Sequence, residues 1–136
     1  MAMSSYSIPE NLKYSKDHEW VNIEGEVAVI GITEHAVKSL HEVVYISLPE
    51  VGLEVKQGQV VTTVESIKAV SEVYSPLSGT IIEVNKTLDT NPEKINHSPY
   101  KEGWIFKLKP TNLEAEMEKL MDNEQYTIYL KSLEAP

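Results

Sequence analysis

The sequence predicts a mainly β fold in which two antiparallel sheets face each other, with one short internal helix and helices at the C-terminal end. Three observations predict it. Short runs rich in Val, Ile and Thr recur along the chain, at 27–32, 42–48, 58–64, 70–75 and 80–85, and β-branched residues suit a pleated, half-buried surface. Turn formers punctuate these runs one at a time: Gly25, Pro49, Gly52, Gly58, Pro76, Gly79 and Pro110. Finally, 136 residues with 41% hydrophobic side chains are enough to bury a core without disulfides or a structural metal, and there is no Cys in the chain.

The elements follow in order. The runs 20–23 and 27–32 flank Glu24-Gly25-Glu26, so Gly25 supplies the positive φ of a first hairpin. Thr33 offers an N-cap hydroxyl to a short helix, in which Ala36, Val37 and Leu40 share one face. The run 42–48 reads as a strand stopped by Pro49. Gly58 opens a strand that runs to Val64, and a return strand begins at Val70, leaving Lys68 at the tip of the turn between them. A further strand spans 80–85. The strand–Gly–strand pattern around Gly25 recurs around Gly79 as a faint repeat. Residues 86–100 are polar, carry Pro92 and Pro99 and lack periodicity, which predicts a surface loop with one helical turn. Alternating Trp104, Phe106 and Leu108 close the sheet region. Thr111 with Glu114 fits a capping box for a helix carrying a Leu113, Met117, Leu120 and Met121 stripe, with Glu114, Glu116 and Glu118 exposed. The segment 123–133 reads as a second helix, weakened by Tyr126, Thr127, Ile128 and Tyr129.

Composition removes several classes of function. Without Cys, thiol catalysis and thiolate metal sites are excluded from the polypeptide, so any sulfur chemistry needs a cofactor. A formal net charge of −9 argues against nucleic acid and anionic membrane surfaces as partners. No apolar run approaches the roughly 20 residues of a membrane span, and the first seven residues lack the pattern of an export signal. A cytoplasmic, bacterial setting is expected, with a mature organellar protein as the alternative. His18-Glu19 and His41-Glu42 begin like the zinc-protease helix motif, but neither is followed by a His at the required spacing. Structural or solvated roles are expected for the His residues. No glycine-rich phosphate loop and no nucleophile elbow is present. Lys68 remains. A turn Lys serves solubility in many proteins, but one held between two β-branched strands, with Glu65 and Glu72 near and no acid adjacent, presents an accessible amine suited to modification.

The segment Glu65-Ser66-Ile67-Lys68-Ala69, with Ser71-Glu72 and Ser75-Pro76-Leu77-Ser78-Gly79, resembles the lipoyl-lysine region of the H proteins of the glycine cleavage system. The same family's signatures match in order at His18-Glu19-Trp20-Val21, Gly31-Ile32-Thr33, 44–49, Glu83-Val84-Asn85, Asn96 with Ser98-Pro99-Tyr100, and Gly103-Trp104. Together they cover roughly residues 12–110.

The resemblance implies a barrel-sandwich hybrid of two antiparallel sheets, of lipoyl/biotinyl-carrier type, with residues 1–136 as a single domain. Its core would be about 12–110 and its C-terminal helical segment about 111–134. It implies lipoate in amide linkage to Lys68 and a shuttle rather than an enzyme. The arm would take an aminomethyl group from the pyridoxal-phosphate-dependent glycine decarboxylase to the folate-dependent aminomethyltransferase and be reoxidised by dihydrolipoyl dehydrogenase. A lipoate-attaching enzyme is the further partner, and the chain is expected to be a monomer. By motif position, Glu19 and Glu72 are acids facing the arm's amine, with Asp17 and Ser75 nearby; no catalytic or metal-binding residue is implied. The chain departs from the family pattern at four points: His41 stands where Gly is usual, Glu72 for Asp, Ile67 for Val, and Asp17 for a small residue. His41 therefore occupies a position suited to positive φ. Two other readings keep the accessible Lys: a relay that donates lipoate to 2-oxoacid dehydrogenase carrier domains, and an unmodified interaction domain. A biotin carrier fits less well, because Ile67 and Ala69 flank the Lys where Met is usual.

Overall fold

The structure, a computed structural model, describes residues 6–134; most of the N-terminal stretch read above for an export signal lies outside them. Among the described residues, nine strands form two open antiparallel sheets. The larger has the order β1 (Lys13–Tyr14), β2 (Glu19–Glu24), β3 (Val27–Ile32), β9 (Phe106–Pro110), β8 (Gly79–Val84) and β5 (Glu54–Val55). The smaller is β4 (Val43–Ile46), β6 (Val60–Ser66) and β7 (Val70–Tyr74). The mainly β, two-sheet expectation is met, but neither sheet closes on itself into a barrel.

The first hairpin forms as the sequence predicts, with Glu24 opposite Val27 and Gly25 at φ 63°. Its second strand, VAVIGI, is apolar at nearly every position because both faces are covered. Ala28, Ile30 and Ile32 point into the main core with Ile46, Val64, Val73, Ile81, Phe106 and Leu108. Val29 joins Leu12, Tyr14 and Trp20 on the other face, beneath Tyr126 and Leu130 of α4 (Asn123–Glu134). Tyr126 stacks on Tyr14 at 4.6 Å between ring centroids. That docking outweighs the poor helix propensity of residues 126–129.

α1 (Glu34–Leu40) starts at Thr33, whose hydroxyl accepts from the Ala36 N–H, and it buries Val37 and Leu40. The polar stretch 86–100 differs from its predicted form. It holds a 3-10 turn (Lys86–Asp89) and α2 (Lys94–His97), and it plugs the core with Leu88 and Ile95. Single anchors at irregular spacing leave no periodicity to read. The Asn85 side chain fixes the stretch by donating to the Glu102 and Trp104 carbonyls, each at 2.8 Å, and accepting from the Thr87 hydroxyl.

The repeat around Gly79 is not structural. Gly79 opens β8 opposite Val55 and Pro110, where a Cβ would lie 2.4 Å from the Lys109 carbonyl oxygen, so close strand approach, not turn geometry, demands the glycine. The Thr111 capping box does not form either. α3 is only Leu113–Met117, preceded by Asn112 without a side-chain cap bond. Glu116, expected on the exposed face, is buried, and its carboxylate accepts from the Ser78 N–H at 2.7 Å and the Ser78 hydroxyl at 2.6 Å. The carboxylate thereby satisfies a turn donor that would otherwise be lost to burial. Among the described residues no helix is long and apolar enough to cross a membrane.

Candidate functional site

β6 and β7 pair through Glu65 opposite Val70, so the chain reverses over Ser66-Ile67-Lys68-Ala69 with Lys68 exposed at the tip. Two-residue hairpin loops commonly use positive φ, yet neither Ile67 nor Lys68 has it. The Ser66 side chain serves instead. Its hydroxyl oxygen accepts from the Lys68 N–H at 3.1 Å and the Ala69 N–H at 3.0 Å, while the Ser66 N–H donates to the Ala69 carbonyl at 2.8 Å. Ser66 was visible in the sequence only as part of a motif; its place before the turn, where a hydroxyl mimics a backbone acceptor, is the signal that identifies its role. Ser66→Ala is expected to destabilise the chain by only about 1 kcal/mol, since water reaches the freed amides. It should speed amide hydrogen exchange at Lys68 and Ala69 while core strands stay protected; unchanged exchange at both would show that the hydroxyl does not hold the turn.

From the tip, β7 leads into a cleft of about 200 Å³ between the two sheets and α1. Glu72 is four residues beyond Lys68, about 13 Å along an extended strand. Asp17, Glu19, Glu72, His18, His35 and Ser71 supply its polar lining, and Ile32, Leu40, Val64 and Val73 its apolar part. Three of the acidic and hydroxyl residues singled out in the sequence, Asp17, Glu19 and Glu72, thus meet here. Ser75 does not line this cleft. Its hydroxyl donates to the Leu77 carbonyl at 2.6 Å, and it lines a neighbouring groove that it shares with Asp17 and Glu19.

The two glutamates differ. Glu72 is exposed and accepts from the Tyr74 hydroxyl at 3.1 Å. Glu19 is only 1% exposed. One of its oxygens accepts from the Ser15 hydroxyl and the other from the Tyr74 N–H at 3.0 Å, on the free edge of β7, so the carboxyl ties the two sheets together. Burial pushes this carboxyl up to about 7 despite those two hydrogen bonds, which favour the charged form.

His18 and His35 line the same cleft with rings 4.5 Å apart. His18 Nδ1 lies 2.8 Å from the Tyr126 hydroxyl, which lies 2.8 Å from the Thr33 hydroxyl. Burial, reinforced by the neighbouring His35, lowers His18 to about 4, so its ring is neutral. Burial lowers His35 too. The Thr33 hydroxyl, which also accepts from the Ala36 N–H, the Tyr126 hydroxyl and His18 Nδ1 thus form one hydrogen-bonded chain from α1 through α4 to the cleft wall. These histidines were expected to be structural or solvated. Only tertiary contact between α4, α1 and the lead into β2 brings them to the cleft, and no local pattern reports that. No group of three or more His, Cys, Asp or Glu suited to a metal ion occurs among the described residues.

Comparison with known proteins bears on this site. The family model described as glycine cleavage H-protein matches residues 12–133. The glycine cleavage system H protein of Thermotoga maritima is 56% identical over 114 residues, covering 84% of this chain and 91% of that one. That of Bacillus subtilis is 50% identical over 120 residues, covering 88% and 94%. The crystal structure of a glycine cleavage system H protein from Mycobacterium marinum superposes with a TM-score of 0.81 at 34% identity, covering 94% of this chain and all of that one.

Proposed function

The chain belongs to the glycine cleavage H-protein family, and we propose that its carrier arm is a lipoyl group on Lys68, seated when loaded in the cleft of Asp17, Glu19 and Glu72. As a family member it is a lipoylated aminomethyl carrier that works between glycine decarboxylase, aminomethyltransferase and dihydrolipoyl dehydrogenase, and it is not an enzyme. One observation carries the residue assignment: Lys68 stands exposed on a tight turn whose outgoing strand runs directly to an acid-lined cleft.

The residues fit the group. Among the described residues no carboxylate forms an ion pair with the Lys68 amine, so an acylating enzyme meets it unhindered. Lys68 would hold the lipoyl group through an amide, and the group would supply a redox-active disulfide able to carry an aminomethyl group on sulfur. The cleft's Val64, Val73, Ile32 and Leu40 provide apolar contact for a hydrocarbon chain, and Glu72 and Asp17 provide acceptors for a cationic amine at its end. Glu19, poised near neutrality, holds or releases a proton at the cleft wall. The neutral His18 keeps that wall free of positive charge, which would repel the amine. Ser75 stands beside this cleft, in a groove shared with Asp17 and Glu19, with its hydroxyl proton given to the Leu77 carbonyl.

We propose further that residues 1–136 act as one barrel-sandwich carrier unit, with a core of about 12–110 and a helical segment of about 111–134. Its support is the hydrogen bond between Tyr126 and His18, which ties α4 to the cleft wall. The test is to prepare the chain with lipoate, locate the added mass by peptide mapping, and measure glycine–carbon dioxide exchange with glycine decarboxylase. A lipoyl mass on the peptide containing Lys68, with exchange, is the expected result. A lipoylated chain that supports no exchange would overturn it.

A further inference from the structure

α1 ends at Leu40, and His41 follows with φ 65° and ψ −145°. This is the mirror image of an extended conformation, open to Gly and costly to a residue with a side chain. The reversal aims the next carbonyl, that of Glu42, at the lysyl turn, where it accepts from the Ile67 N–H at 3.0 Å. Ile67 is the residue immediately before Lys68.

One side chain grips this unfavourable linker from both sides. Asn96 donates from Nδ2 to the His41 carbonyl at 2.6 Å and accepts at Oδ1 from the Val43 N–H at 2.9 Å. It therefore straddles Glu42, fixing the two peptides that flank this residue, the second of which carries the carbonyl that reaches Ile67. Asn96 is itself on firm ground. Its neighbour Ile95 is fully buried, and Gly103 packs so closely under α2 that a Cβ there would lie 2.8 Å from the Lys94 and Ser98 carbonyl oxygens. The chain of contacts thus runs from a core-anchored turn, through one amide side chain, to the backbone of the lysyl turn.

We infer that Asn96 is a positioning residue for Lys68: by clamping the His41–Val43 linker it holds the Glu42 carbonyl on Ile67 and so orients the turn that presents the amine to the lipoate-attaching enzyme. The inference rests on Lys68 being the attachment site. A pre-oriented turn spares the enzyme the entropy of ordering it, so the clamp acts on recognition of the unmodified chain and not on the acyl-transfer step.

The test combines amide hydrogen exchange with lipoylation kinetics, using Asn96→Ala, Asn96→Asp, His41→Gly and the double variant Asn96→Ala/His41→Gly. Asn96→Ala should raise exchange at Ile67 about tenfold, the worth of one ordinary hydrogen bond, while Val64 and Leu108 keep their protection. KM for the apo chain should rise about fivefold with kcat nearly unchanged, the mark of lost pre-organisation. Asn96→Asp keeps the acceptor for Val43 but sets a carboxylate oxygen against the His41 carbonyl, so it should match the Ala variant; it also serves if that variant does not fold. Glycine accepts the reversed conformation without the cost, so in the His41→Gly background Asn96→Ala should lose markedly less. Equal losses in both backgrounds, a fall in kcat at constant KM, or equal acceleration at Ile67 and the core amides would overturn the clamp. Failure of the unaltered chain to gain lipoate at Lys68 would instead refute the attachment site, with Ile67 exchange still deciding whether the clamp exists.

Discussion

Lys68→Arg is expected to leave the chain folded and to abolish its carrier activity completely. The Lys68 side chain is exposed and makes no hydrogen bond or ion pair among the described residues; the turn is held by the Ser66 hydroxyl and backbone groups, which the substitution leaves in place. An exposed replacement of this kind changes stability by no more than about 0.5 kcal/mol. Charge and approximate length are kept. What is lost is an amine able to become a neutral nucleophile, because a guanidinium stays protonated with its lone pairs delocalised. Intact mass after preparation with lipoate should equal that of the bare polypeptide, the urea midpoint should match that of the parent chain, and glycine–carbon dioxide exchange should fall to the level without carrier. A lipoyl mass on the Arg variant would move the attachment to another of the chain's lysines and sink the assignment.

How much of this could be read from the sequence depended on the range of the forces involved. The Gly25 hairpin, the Thr33-capped helix and the Lys68 tip rest on neighbours within a few residues, and each formed as predicted. The reversed backbone at His41 was legible too, from the Gly usual at that position in the family. What the sequence hid was long-range polar pairing. Glu116 reads as a solvated helix residue until Ser78 takes both its oxygens across 38 residues. His18 reads only as a structural or solvated His, and its partner Tyr126 stands 108 residues away. Asp17, Glu19 and Glu72 could be grouped only through the family resemblance, because strand periodicity does not say which edge of β7 meets β2. Ser75 too could be set near them only through that resemblance: it lies beyond the end of β7, where alternation no longer tells which way a side chain turns. Leu88 and Ile95 fill the core from a segment whose polar composition points outward.

Glu19 should give the stability of this protein a pH dependence that Glu19→Gln removes. Burial raises the folded carboxyl to about 7 from an ordinary value of 4.5. Below 4.5 the group is protonated in both states and its contribution is fully present. Between 4.5 and 7 the unfolded chain ionises while the native chain keeps its proton, so stability falls as pH rises, and above 7 the contribution is gone. The gap corresponds to about 3 kcal/mol. His18 works in the opposite sense. Its folded value is lowered to about 4 from 6.5, so its contribution is present above 6.5 and is lost as pH falls toward 4. A single pH profile therefore mixes the two, and the difference between parent and Gln variant isolates Glu19, since His18 titrates in both. The Gln amide can still accept from the Tyr74 N–H and donate to the Ser15 oxygen, so the tie between the sheets survives the substitution. Urea unfolding at pH 4.5 and pH 8 should show the parent's advantage over Glu19→Gln shrinking by about 3 kcal/mol across that range. Parallel profiles would mean that the carboxyl ionises alike in the folded and unfolded chains, and would take from Glu19 the proton-holding role at the cleft wall.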